Sequence, residues 1–73
     1  MSVIKLVNIR INGEPREVTG GINLEQLLDQ LELPVQRIAV ELNRKVIRRA
    51  EWTNTVIEEG DRLEIVHFVG GGN

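Results

Sequence analysis

Seventy-three residues leave room for one domain, and the absence of cysteine excludes disulfides, thiolate metal ligation and a cysteine nucleophile. A formal net charge of -2 argues against the basic excess of a nucleic-acid binder. No apolar stretch approaches the roughly 18 residues that span a bilayer, and Met1-Ser2-Val3-Ile4-Lys5 lacks the regions of a signal peptide, so the expected setting is cytoplasmic, without nucleic acid or membrane.

Val7, Ile9 and Ile11 alternate with Asn8 and Arg10, which is the period of a strand. Asn12-Gly13 is a strong hairpin signal because both residues tolerate positive φ. The chain should fold back as a second strand over Glu14 to Val18, and Pro15, with no amide hydrogen, assigns that strand to an edge or near its own beginning. Thr19-Gly20-Gly21 ends it. A phosphate cradle at the Gly20-Gly21 pair is disfavoured, since there is no GxGxxG or Walker lysine and Glu25 follows in the first helical turn.

Asn23 and Gln26 have the spacing of a capping box, and Ile22 with Leu27 that of a hydrophobic staple. The helix starts at Leu24, with Leu24, Leu27, Leu28 and Leu31 on one stripe and Glu25, Asp29 and Glu32 outward. It stops before Pro34, whose ring pushes Leu33 away from α geometry. Arg37 to Leu42 reads as a third strand, Asn43-Arg44 as a turn and Lys45 to Ile47 as a fourth strand. Periodicity is lost from Arg48 to Thr55, where a loop or single helical turn uses Trp52 to plug one end of the core. Val56-Ile57 resumes an extended run, Glu58 to Asp61 turns, and Arg62 to Val69 forms the last strand.

This order predicts an α+β roll with one helix across a mixed sheet of four or five strands. The β-grasp, or ubiquitin-like, arrangement has this order, with first and last strands parallel at the centre; other ββαββ layouts share the pattern. Residues 1–69 would form the domain and 70–73 a flexible tail.

An enzyme of its own is not expected: His67 is the only histidine, and no His/carboxylate spacing suggests a metal site or an acid and base pair. The His67 ring is expected to close the edge of the core. Val66 and Phe68, on the opposite face of the same strand, form a candidate docking patch unless another loop covers them. Arg44, Lys45, Arg48 and Arg49 are either a solvated face or an electrostatic handle for an acidic partner.

The final strand runs without a turn signal into Gly70-Gly71-Gly72-Asn73. Glycine averages about 7% of residues, so three in succession at a chosen place is improbable by chance. Such a main chain has no Cβ and can approach another surface closely. Four extended residues reach roughly 13 Å, enough to thread into a partner's active site. The plain alternative is a frayed end.

Ile65-Val66-His67-Phe68-Val69-Gly70-Gly71-Gly72, the Ile11-Asn12-Gly13-Glu14 hairpin, and Glu41-Leu42-Asn43-Arg44-Lys45-Val46-Ile47 followed by Trp52 resemble the bacterial sulfur carrier family of thiamine biosynthesis, within the ubiquitin-like group. The resemblance implies a carrier whose reactive group is its own C-terminal carboxylate, adenylated by an E1-like adenylyltransferase with ATP and magnesium. A persulfide sulfur donor would then convert it to a thiocarboxylate, which delivers sulfur to thiazole synthase. The carrier itself would bind no cofactor and no metal. Because the family pattern ends at glycine, Asn73 would have to leave, making Gly72 the adenylated residue and Gly71 the second choice, with Gly70 and Gly71 threading the channel. Val66, Phe68, Arg44 and Lys45 would meet the partner. The same tail and fold also serve molybdopterin formation, tRNA thiolation and ubiquitin-like protein modification.

Overall fold

The structure, a computed structural model, describes residues 4–68. The expected glycine tail and Val69, assigned to the last strand, lie outside the described residues.

The chain forms strands β1 (Leu6–Ile11) and β2 (Glu14–Thr19), helix α1 (Leu24–Gln30), a 3-10 turn (Val35–Arg37), strands β3 (Ile38–Leu42) and β4 (Lys45–Val46), a 3-10 segment (Arg49–Asn54) and strand β5 (Arg62–His67). The five strands make one sheet in the order β2-β1-β5-β3-β4, with β1 and β5 parallel and the other neighbours antiparallel. This is the β-grasp arrangement, and the parallel pair brings together the first and last strands as expected.

Local chemistry accounts for the boundaries. Asn12 at φ 52° and Gly13 at φ 84° make the tight turn between β1 and β2, whose twist matches that of the strands it joins. Asn43 at φ 52° and Arg44 at φ 72° repeat that geometry between β3 and β4, although Arg44 has a Cβ that disfavours it. Pro15 sits opposite Arg10 on the outermost strand, where its missing N–H leaves no gap in a ladder. The capping box is formed: the Gln26 amide donates to Asn23 Oδ1 at 2.7 Å and the Asn23 amide to Gln26 Oε1 at 2.9 Å.

Several boundaries differ from expectation: β2 runs on to Thr19, and β4 and β5 stop at Val46 and His67. The helix ends at Gln30, because Glu32 adopts φ 57° and the amides of Glu32 and Leu33 turn back to the carbonyls of Asp29 and Leu28. Arg37 closes a 3-10 turn instead of opening β3. Val56 makes only an isolated bridge to Asn23.

The inner face of the sheet supplies Val7, Ile9, Val18, Ile38, Val40, Leu63 and Ile65, and α1 covers them with Leu24, Leu27 and Leu28, each fully buried. At roughly 1.5–3 kcal/mol per fully buried large aliphatic side chain, these three leucines anchor the helix. Trp52 plugs one end of this core at 3% exposure, donating its indole N–H to the Ile47 carbonyl at 3.0 Å. Ile57, from the segment read as extended, is also buried.

Candidate partner-docking face and tail exit

β5 lies between β1 and β3, and its odd and even residues bond to different neighbours. On the β3 side, the Phe68 amide donates to the Arg37 carbonyl at 2.9 Å and the Asn43 amide to the Arg62 carbonyl at 2.8 Å, so the ladder holds to the last described residue. On the β1 side, Arg10 donates to the Asp61 carbonyl at 2.9 Å and Asn12 to the Leu63 carbonyl at 2.8 Å. The hairpin then turns away, and the Asn12 side chain continues in its place: Oδ1 accepts from the Ile65 amide at 2.7 Å and Nδ2 donates to the Ile65 carbonyl at 3.1 Å. The strand preceding the glycines is thus held straight by main chain on one side and by main chain plus a carboxamide on the other.

The start of β5 is fixed by a second set of side chains. Asp61, buried at 8% exposure, accepts from the Glu58 amide at 2.8 Å and from Asn43 Nδ2 at 3.0 Å. Asn43 Oδ1 in turn accepts from the Arg62 amide at 3.0 Å. The Glu58 to Asp61 turn and the β3–β4 turn are therefore tied together. Both asparagines and Asp61 escaped the sequence reading as more than turn residues, because their partners lie up to 53 positions away.

Val66 and Phe68 project from the face opposite α1, 57% and 52% exposed, and no described loop covers them. Ala39 pairs with Val66 on that face, and Val46, 65% exposed, lies on the same face in the next row, opposite Glu41. Toward the start of β5 the face becomes charged: Glu41, Arg44, Arg62 and Glu64 line one shallow depression. An apolar end at Val66 and Phe68 and a mixed-charge end toward the start of β5 suit docking in one orientation.

The four cations expected to act together are separated. Arg44 and Lys45 are exposed at the β3–β4 turn, with the acidic groups of Glu41 and Glu64 near Arg44. Arg49 turns to the helix side, stacking its guanidinium 5.3 Å from the Trp52 ring centroid and donating to the Val35 carbonyl. His67 is also corrected: it is exposed, because β5 outruns the hairpin and no strand flanks it on the β1 side. Among the described residues, no group of three or more His, Cys, Asp or Glu side chains could hold a metal. No helix there is long and apolar enough to cross a membrane. Gly70, Gly71, Gly72 and Asn73 fall outside the described residues.

The ThiS family model matches residues 9–72. A crystal structure of a thiamine biosynthesis protein (ThiS) from Geobacter metallireducens superposes with a TM-score of 0.81 at 33% identity, over 90% of this chain and all of that one. The sulfur carrier protein ThiS of Bacillus subtilis is 33% identical over 88% of this chain and 98% of its own length. A thiazole synthase from Magnetococcus marinus is 41% identical over 90% of this chain, yet the match covers only 20% of that protein. This chain thus spans about a fifth of the thiazole synthases it matches.

Proposed function

The chain belongs to the ThiS family, and from that membership we propose that it is the sulfur carrier of thiazole formation in thiamine biosynthesis, acting as a co-substrate of other enzymes. The observation that carries this reading is the family match reaching through the glycine run to Gly72, after a strand braced on its β3 side as far as Phe68 and on its β1 side as far as Ile65. A carboxylate resists nucleophilic attack because of its charge and its poor leaving group. Adenylation removes both obstacles: an E1-like adenylyltransferase, using ATP and magnesium, makes the acyl-adenylate. The outer sulfur of the donor's persulfide then displaces AMP to give an acyl disulfide. A second thiol attacks its S–S bond and is left as a disulfide with the donor's cysteine, and the thiocarboxylate so released gives its sulfur to thiazole synthase.

The division of labour follows from the fold. The braced strand holds the body of the carrier up to Phe68, and side-chain-free residues after it would fit a narrow channel in which a misplacement of about 1 Å can cost on the order of 100-fold in rate. Val66 and Phe68 give the partner an apolar surface beside that channel. The match ending at Gly72 supports Gly72 as the reactive residue, which requires removal of Asn73.

The test is intact-mass spectrometry of the protein incubated with the adenylyltransferase, ATP, magnesium and a persulfide donor. Replacement of one oxygen by sulfur is expected on the form ending at Gly72 and not on the form ending at Asn73. Supplying the product to thiazole synthase, molybdopterin synthase and a tRNA-thiolating system then identifies the recipient. A protein that is never thiocarboxylated, or that appears in cells joined to lysines of other proteins, would contradict the reading.

A further inference from the structure

The sheet has two outer edges and one inner one. The outer edges are blunted: β2 carries Pro15 with Glu14, Arg16 and Glu17, and β4 is only two residues long. Such features discourage a further strand from pairing. The inner edge is different. Where β5 passes the hairpin tip, the alternation of its hydrogen bonds directs the N–H and C=O of His67 away from β3, and among the described residues neither has a partner. Asn12 occupies the equivalent groups of Ile65 and leaves those of His67 open.

Beneath this edge, on the helix side, lies a groove of about 250 Å³. Half-buried Ile11, Leu31 and Leu33 and buried Ile65 form its apolar wall, and Arg16 and His67 stand at its rim. Above the edge, on the opposite face, are Val66 and Phe68. A strand alternates its side chains between two faces, so a segment pairing with His67 would place one side chain in the groove and the next against the Val66–Phe68 surface.

We propose that the inner edge of β5 at His67 receives an extended segment of thiazole synthase, carrying apolar side chains on both faces and a carboxylate toward Arg16. This rests on the sulfur-carrier reading. Thiazole synthase is preferred as the occupant because relatives bearing that name contain a segment similar to this chain within their own polypeptide. The edge also precedes the tail in the chain, so one encounter would add a neighbour to the strand and bring the glycines to the same partner. Pairing at the edge adds a main-chain contact that does not depend on the carrier's side chains.

The experiment is amide hydrogen exchange on the isotope-labelled carrier, alone and with the thiazole synthase of the same organism. In the free carrier the His67 amide should exchange quickly, while the Val66 and Phe68 amides, facing β3, are slowed. In the complex the His67 amide should slow by at least about 10-fold, the change expected for one gained hydrogen bond. His67→Pro, which removes the outward N–H without taking a donor from the β3 ladder, should weaken binding by about 10-fold relative to His67→Ala, which lacks the imidazole too but should retain the exchange protection. The exchange measurement stands even if the proline variant fails to fold. A complex that perturbs the tail but leaves His67 exchange unchanged overturns this inference alone; absence of any complex overturns the carrier reading with it. Protection that grows with carrier concentration in the absence of the synthase assigns the edge to a second copy and also overturns it.

Discussion

The carboxamide of Asn12 forms a closed pair of hydrogen bonds with the main chain of Ile65, at 2.7 and 3.1 Å, in the position where a longer β1 would have continued the sheet. One side chain at a hairpin tip therefore substitutes for a strand residue and braces the segment that leads to the tail.

Asn12→Gly preserves the positive φ of the turn and removes the pair. The expected loss is about 1–2 kcal/mol, the net value of one or two hydrogen bonds. Thermal denaturation measures it, and amide exchange should show Ile65 losing protection while Val66 keeps its own. Equal loss at both positions would mean that the whole strand, not one edge, had depended on Asn12.

Asp61→Ala leaves the Glu58 amide and the Asn43 carboxamide without their acceptor in a largely enclosed place. Destabilisation of about 2–3 kcal/mol is expected in denaturant titration. Asp61→Asn keeps one acceptor oxygen and should cost about half as much.

Glu32 ends the helix at φ 57°, a place where glycine carries no Cβ penalty. Glu32→Gly should raise stability by about 0.5–1 kcal/mol, since relief of the left-handed strain outweighs the entropy added to the unfolded chain. Calorimetry would register this as a rise of a few degrees, about 4–8 °C accompanying each kcal/mol in a domain of this size.

Arg44 offers a separation of effects, since it combines φ 72° with a charge beside the depression lined by Glu41, Arg62 and Glu64. Arg44→Gly should stabilise the fold by about 0.5–1 kcal/mol. If Arg44 meets an acidic partner, the same change should slow association with the adenylyltransferase and reduce its salt dependence. Stopped-flow association at two ionic strengths reads the second effect independently of the first.

Phe68→Ala and Val66→Asp alter exposed positions and should leave stability within about 0.5 kcal/mol. Binding to the adenylyltransferase should fall by about 10-fold or more for each, the loss typical of a central apolar contact. Calorimetric titration checks the affinity, with melting curves as the control.

What could be read from the residues was what local chemistry decides. Asn12-Gly13, the Asn23 and Gln26 box, the leucine stripe and Pro15 each specify their own structure within a few positions, so the roll followed from their order. The helix end was misplaced because Pro34 is a visible breaker, whereas the left-handed Glu32 belongs to a residue type that gives no such signal. The fate of His67 depended on where β1 stops relative to β5, a register that alternation alone does not contain. Likewise, four neighbouring cations looked like one patch until Arg49 proved to lie against Trp52 on the helix side. The outward placement of Val66 and Phe68 followed from strand period alone.

The parallel pairing of β1 with β5 has a mechanical consequence. Tension applied between the N-terminal side of β1 and the C-terminal side of β5 loads their shared hydrogen bonds in shear, so they must rupture together instead of peeling one at a time. A partner hauling on the carboxyl end would therefore stretch the tail before it unravelled the body. Single-molecule pulling between the termini should accordingly give one abrupt rupture, not a gradual unzipping.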